Sequence, residues 1–221
     1  MKYLKFLIPL IVFACSSDKV ILLPEVSNAP VHEVLDLSPA YLFYDTTAVN
    51  GVELNRRNLI VSTNWLVNVD KRLTLKQAIP EIQFIQFKKR DAGMHKNEAA
   101  KNYYSCNDTG IKNLGFIDFT DVFYHTSDSA KATIRARETI KSEHLAAKVD
   151  ALSRITVSNL EGSLNLEDFI AYLSAQPLPK PTNLVLNLSE NLTFQDYITL
   201  KAALIETDST VVTVNPNEFI Y

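Results

Sequence analysis

Two cysteines and four histidines are the residues of this 221-residue chain best suited to nucleophilic or metal chemistry. Cys106 lies in Tyr103-Tyr104-Ser105-Cys106-Asn107-Asp108. To act as a nucleophile it needs a histidine brought to it and an electropositive setting that lowers its pKa. His95 and His125 lie nearest in sequence, but nothing in their spacing makes them converge on the thiol, so a buried, inert Cys106 is the expectation. His32, His95, His125 and His144 are scattered, with neither His-x-x-x-His nor Cys-x-x-Cys spacing, and predict no metal site. Asp118, Asp121, Glu167, Asp168 and Asp196 are carboxylates that could serve acid–base work. Glycosidase-type chemistry requires two carboxyls facing each other across roughly 5–10 Å, and the sequence singles out no such pair. Five glycines without a glycine-rich run supply no phosphate-cradling loop. No catalytic residue and no cofactor is predicted.

The second cysteine has a different setting. Met1-Lys2-Tyr3-Leu4-Lys5 is a positive start, Phe6–Val12 is apolar, and Val12-Phe13-Ala14 precedes Cys15. This run resembles the signal and lipobox of bacterial lipoproteins, departing from the commonest form by the bulky Phe13. The resemblance implies cleavage after residue 14 and a diacylglycerol on Cys15. The alternative is an ordinary cleaved signal with an incidental cysteine. The apolar run is interrupted by Pro9 and is far shorter than the roughly 20 residues a bilayer span requires, so a transmembrane helix is not expected. Several acyl chains would provide the multiple signals that stable anchoring needs. Ser16-Ser17-Asp18-Lys19 then reads as a polar tether, and a serine after the lipidated cysteine resembles outer-membrane routing.

The formal net charge of −3 becomes more negative when a leader carrying Lys2 and Lys5 is removed. A mildly acidic chain has no electrostatic footprint for nucleic acid. With 47% hydrophobic residues it can bury a substantial core. An acylated Cys15 leaves Cys106 alone, so no internal disulfide supports that core.

The elements that position these residues are announced by a motif that occurs three times. Leu73-Thr74-Leu75-Lys76-Gln77-Ala78-Ile79, Leu164-Asn165-Leu166-Glu167-Asp168-Phe169-Ile170 and Leu192-Thr193-Phe194-Gln195-Asp196-Tyr197-Ile198 each begin a predicted helix. Thr74, Asn165 and Thr193 are the capping residues, and Gln77, Asp168 and Asp196 can reach back in a capping-box manner. Strands are predicted before each: Trp65–Val69, Arg154–Ser158 and Asn183–Leu188. Leu66–Leu75 aligns without a gap on Val185–Phe194, so two strand–turn–helix units look related. Thr210–Val214 reads as a further strand, with Asn215-Pro216-Asn217 as a turn into a closing strand at Glu218–Tyr221.

The strand at Ile155–Ser158, the turn at Glu161-Gly162, the helix Leu166–Leu173, the Pro-rich Gln176–Pro181, the strand Leu184–Leu188 and the helix Phe194–Ile205 resemble the periplasmic domain of ExbD and TolR. Those proteins are stator components of proton-driven envelope machines. The resemblance covers the last third of the chain in order and spacing, and segment 34–88 weakly. It implies dimerisation and contact with envelope partners or peptidoglycan. The family's acidic transmembrane helix has no counterpart here, so proton coupling does not carry over.

Lys88-Lys89-Arg90 within 88–96 is the densest basic cluster, expected as a solvated helix end, with attraction to anionic headgroups or polysaccharide as the other reading. Pro80 should kink or shorten its helix. Of Tyr103, Tyr104, Phe116, Phe119, Phe123 and Tyr124, the stretches Phe116–Phe119 and Val122–Tyr124 suggest a strand or hairpin around Thr120-Asp121, and the rings are expected in the core rather than as a sugar-stacking stripe. A helix is predicted over Ala132–Val149. Asp45-Thr46-Thr47, Asp128-Ser129-Ala130 and Asp208-Ser209-Thr210 resemble short O-glycosylation acceptors of Bacteroides-type bacteria, with Asp-rich turns as the alternative.

The sequence therefore predicts an α+β or α/β protein of two small related strand–turn–helix lobes. A signal at 1–14 precedes Cys15 and a tether to 33, an N-terminal lobe over 34–125, a linking helix over 126–153 and a β-α-β-α-β lobe over 154–221. The expected role is a lipid-anchored envelope binding or assembly module, with an envelope protein or peptidoglycan as partner and homodimerisation among the expectations. The alternative is an envelope hydrolase or carbohydrate-active enzyme.

Overall fold

The computed structural model describes residues 19–93, 97–126, 144–176, 182–207 and 210–221. The fold is α+β, with two lobes. The N-terminal lobe contains β1 (Glu25–Val26), β2 (Leu37–Tyr44), β3 (Val52–Asn55), β4 (Asn64–Val69), α1 (Leu75–Arg90), β5 (Asn102–Asp108) and β6 (Asn113–Asp118). The C-terminal lobe contains β7 (Phe123–His125), β8 (His144–Ala151), β9 (Arg154–Val157), α2 (Leu166–Ser174), β10 (Thr182–Leu188), α3 (Phe194–Glu206) and β11 (Val212–Ile220).

Both sheets are mixed and share one plan. In the first, hairpin β3-β2 pairs on to β4 and then β5, with β6 antiparallel and β1 parallel to β5. In the second, hairpin β9-β8 pairs on to β10, β11 and β7, all parallel after the hairpin. Parallel neighbours require long crossovers, which α1 supplies between β4 and β5 and α3 between β10 and β11, while β3 and the loop after it connect β2 to β4. The predicted strands and the three predicted helix starts are all present, and α1 runs past Pro80 to Arg90 without being shortened.

The internal repeat is also a contact. Thr74 and Thr193 form an antiparallel bridge. Leu75 N–H donates to the Leu192 carbonyl at 2.9 Å, and Phe194 N–H to the Leu73 carbonyl at 2.7 Å. One residue on, Lys76 N–H reaches the Glu190 carbonyl at 2.9 Å and Gln195 N–H the Lys71 carbonyl at 3.2 Å. Each bond has its mirror in the other unit, so the repeats meet across a pseudo-two-fold axis. These backbone donors belong to the first turns of α1 and α3, where no intrahelical acceptor exists. A single apolar core runs through both lobes, from Val67 and Ile79 to Leu186 and Ile198.

Three expectations are corrected. Residues 144–149 are not helical but belong to β8, whose alternating burial places Leu145, Ala147 and Val149 in the core. The period-2 signal was masked by the charge-rich stretch before it, and residues 127–143 lie outside the described residues. Phe116–Phe119 and Val122–Tyr124 do not form a hairpin: β6 joins the first sheet and β7 the second, and the chain crosses between lobes at Thr120-Asp121. Asn215-Pro216-Asn217 does not end a strand but lies within β11, where the register against β10 shifts between Leu184 and Leu186. A bulge lets one strand absorb a proline that cannot donate to the ladder.

The N-terminal segment is strapped to the body from Lys19 onwards rather than forming a free tether as far as residue 33. Lys19 pairs with Asp45 and Glu53, and Leu22 N–H donates to buried Asp70 at 3.1 Å. Glu25 exchanges two hydrogen bonds with the Gln195 side chain, at 2.8 and 2.9 Å.

Candidate functional site

The structure separates the sequence candidates. Cys15, His95 and Asp128-Ser129-Ala130 lie outside the described residues, as do Asp208 and Ser209. Cys106 is fully buried in the middle of β5, and burial pushes its thiol up to about 12, the opposite of an activated nucleophile. His125 lies elsewhere, with Nε2 2.8 Å from Asn217 Oδ1 and its ring stacked on Phe219. His32 is exposed and His144 opens β8.

The carboxylates are held by local structure. Asp118 accepts from the Thr120 N–H and hydroxyl and from Lys101. Asp168 and Asp196 sit at the caps of α2 and α3. Glu167 is exposed in the first turn of α2, and Asp121 is exposed at the crossover. In Asp45-Thr46-Thr47 the Asp45 carboxylate accepts from the Thr47 N–H and hydroxyl, and these bonds with Lys19 hold it below the usual carboxylate range. Among the described residues no group of three or more His, Cys, Asp or Glu side chains could hold a metal ion, and no helix is long and apolar enough to cross a membrane.

What does converge was not singled out from sequence. Tyr104 and Tyr124 hydroxyls are 2.6 Å apart, and Tyr124 and Tyr197 3.0 Å. Tyr197 donates to Glu218 at 2.9 Å, and Lys201 Nζ lies 2.6 Å from the other Glu218 oxygen. This chain links β5 to β7, α3 and β11, and burial raises all three tyrosine pKa values well above normal. Its geometry is closed: Glu218 is inaccessible to solvent and Lys201 nearly so. A sealed, satisfied polar chain is a device for joining lobes, and it has no opening through which a substrate could reach it. The signal that could have flagged it is Lys201, a charge on the face of α3 that otherwise carries Tyr197, Ile198 and Leu204.

Directly outside this chain lies an open groove of about 330 Å³ between α1 and β7, lined by Gln83, Gln86, Phe87, Arg90, Phe123, Tyr124 and His125. The last two turns of α1 build one wall. Gln83 donates to the Tyr124 carbonyl at 2.9 Å, Gln86 to the Val122 carbonyl at 3.2 Å, and Arg90 to the Thr120 and Val122 carbonyls at 3.2 Å. The α1 side chains thereby clasp backbone acceptors of the crossover and of β7. The Arg90 guanidinium stacks 4.3 Å above the Phe123 ring. Phe87 and Phe123 remain 65% and 42% exposed.

The basic cluster divides by environment. Lys88 is solvated at the helix end, as expected, whereas Arg90 is engaged by the Thr120 and Val122 carbonyls and Lys89 points inward over the Trp65 ring. It donates to the Thr63 and Lys101 carbonyls and to Asn102 Oδ1 at 2.9–3.2 Å, and burial holds its pKa down to about 8. Of the aromatic stretch, Tyr103, Tyr104, Phe116, Phe119 and Tyr124 are core, and Phe123 alone is exposed.

The internal repeat gives a control for the groove. In the register set by Thr74 and Thr193, Phe84 and Phe87 of α1 correspond to Ala203 and Glu206 of α3. A helix serving the same crossover thus needs no outward aromatic at these positions. Comparison with family models, with curated proteins and with solved structures finds no match for this chain.

Proposed function

We propose that this protein is a lipid-anchored component of the bacterial cell envelope whose body binds another envelope component, a protein or peptidoglycan, through the groove between α1 and β7. The anchor is Cys15, on the lipobox-like run that ends at Ala14. The observation that carries the binding role is the pair of exposed rings, Phe87 and Phe123, beside a stacked guanidinium. Aromatic residues and arginine are the types enriched where binding energy concentrates, and the equivalent surface of α3 dispenses with them. A nonenzymatic role is supported by the positions of the chemistry-bearing groups, since Cys106 and the Glu218 chain are sealed. The likeness of residues 154–221 to ExbD and TolR periplasmic domains supports an accessory assembly role without proton coupling.

The test has two parts. Intact mass and detergent partitioning of the protein from a bacterial host, beside Cys15→Ala, should show acyl mass and detergent partitioning only with Cys15 present. A photo-crosslinking side chain in place of Phe87 should then capture a discrete envelope partner, while one in place of exposed Glu167 should not. A soluble, unmodified wild type would sink the anchor. Identical adducts from both positions would sink the groove.

A further inference from the structure

The long side of the N-terminal lobe along β3 combines exposed apolar and cationic side chains. Val49, before β3, is 84% exposed, and Ile60, in the loop after it, 57%. Arg56 and Arg57 lie between them, both exposed, and line with Glu53, Asn55 and Leu59 a shallow concavity of about 600 Å³. Behind this strip stands Phe84 of α1, 41% exposed, with the Arg56 guanidinium 5.0 Å and the Lys88 ammonium 4.8 Å from its ring centroid. The acidic groups beside it are Asp45 and Glu53, which share the single cation Lys19, and Glu81, half-buried one turn before Phe84.

The C-terminal lobe shows that the fold does not demand such a strip. The corresponding edge, β9, is closed by Leu164, which exchanges two 2.8 Å backbone bonds with Ile155. α2 packs beside it against α3, with Phe169 and Leu173 fully buried.

Lys19, the first described residue, is also held at this strip. Lys19 is bound to Asp45 and Glu53, and Cys15 is four residues earlier. Four residues reach at most about 14 Å even when fully extended. An acyl group on Cys15 would therefore bring the bilayer surface within that distance of the β3 side.

We propose that the β3 side of the N-terminal lobe lies on anionic lipid headgroups, with Arg56, Arg57 and Lys88 meeting phosphates and Val49, Ile60 and Phe84 entering the interface. Basic residues near an anionic leaflet each contribute about 1 kcal/mol, and apolar side chains beside them add the buried area that interfacial binding needs. The occupant is a lipid surface rather than an acidic protein because the tether fixes a membrane at this distance. This inference builds on the Cys15 anchor.

The experiment uses the chain from Ser16 onwards, without lipid, mixed with vesicles of phosphatidylglycerol and phosphatidylethanolamine or of phosphatidylcholine alone, and read by flotation. The expected result is partition on to the anionic vesicles only. It should weaken roughly tenfold or more in Arg56→Glu/Lys88→Glu, weaken with added salt, and stay unchanged in Lys148→Glu on the other lobe, with both variants melting like wild type. Equal partition on neutral vesicles, or an unaffected double variant, would overturn it. A dimer in solution that the double variant dissociates would also overturn it, since a second copy would then occupy the face. Acyl mass on Cys15 is measured separately. Vesicle binding without acyl mass removes the anchor and leaves this surface standing; acyl mass without vesicle binding does the reverse.

Discussion

In the C-terminal lobe the hairpin edge is closed by Leu164 and flanked by α2, whereas in the N-terminal lobe the loop from Arg56 to Thr63 takes the place of that helix and leaves the edge open. The helices differ in the same sense: α1 carries Phe84 and Phe87 outward, where α3 carries Ala203 and Glu206. The core reverses the pattern. Tyr104 of β5 and Glu218 of β11 occupy equivalent register positions, opposite Val67 and Leu186, and Ile82 of α1 corresponds to Lys201 of α3. At these equivalent positions the first lobe carries an uncharged pair and the second an ion pair, although the first buries Lys89 and Asp70 elsewhere and the second contributes exposed Phe123 of β7 to the groove.

The strongest way to break this comparison is at the buried pair. Glu218→Ala leaves the Lys201 ammonium and the Tyr197 hydroxyl without their carboxylate, and urea unfolding should show a loss of about 3–5 kcal/mol. Lys201→Ile with Glu218→Leu turns the C-terminal wall into the apolar kind that Ile82 already makes in the N-terminal lobe. That double variant should recover most of the loss, because charges and their desolvation cost leave together. A Glu218→Ala cost below about 1 kcal/mol would mean that the tyrosine chain does not join the lobes.

The repeat was legible because it is written in local terms. Capping residues at Thr74, Asn165 and Thr193, each followed by an apolar stripe, fix helix starts whatever surrounds them. What those caps touch was not legible: the Thr74–Thr193 bridge is a long-range contact that only the packed sheets create. The same limit hid the crossover at Thr120-Asp121, since local patterning at Phe116–Tyr124 cannot say that β6 and β7 belong to different sheets. Lys89 reads as one of three solvated cations, and only the approach of Trp65 and Asn102 turns it inward. Cys106 as an inert thiol followed from absent partners in sequence, and the structure supplies the reason in its burial.

Cys106 sharpens the comparison next, because it stands where Ile220 stands in the other lobe, and should behave as a small apolar residue. In the unfolded chain its thiol loses a proton near 9.0, whereas in the fold burial holds the proton up to about 12. Between those values the unfolded state binds fewer protons, so stability falls as pH rises, by at most about 1.4 kcal/mol per pH unit. Cys106→Ala should reduce that slope in melts between pH about 9 and about 10, leaving the part that buried Tyr104, Tyr124 and Tyr197 contribute as tyrosines of the unfolded chain ionise. An unchanged slope would mean that the thiol ionises freely in the fold.

The two caps offer a finer contrast. The Thr193 hydroxyl accepts from Asp196 N–H at 3.1 Å and donates to the Asp196 carboxylate at 2.7 Å. In the N-terminal lobe a neutral amide does this work, with Gln77 Oε1 accepting from Thr74 N–H at 2.9 Å. Thr193→Ala should cost about 1 kcal/mol and Thr74→Ala less, because the bond to a carboxylate is the stronger. Across the shared bridge the double variant should depart from additivity, since each cap sets the backbone that the other helix's first N–H groups use.

The smallest expected change in stability tests the largest claim. Phe87→Glu installs in α1 the residue that α3 carries at the same position, Glu206. Phe87 is 65% exposed and sits on the rim of the groove rather than in the core. The substitution should therefore move unfolding stability by no more than about 0.5 kcal/mol. Phe123→Ser should be similarly mild, since the Arg90 guanidinium it supports keeps its bonds to the Thr120 and Val122 carbonyls. If the groove is a binding surface, both variants should lose the envelope adduct captured in the host while folding and anchoring normally. If instead Phe87→Glu unfolds the lobe, the outward ring belongs to the architecture, and the asymmetry between α1 and α3 is one of packing rather than of recognition.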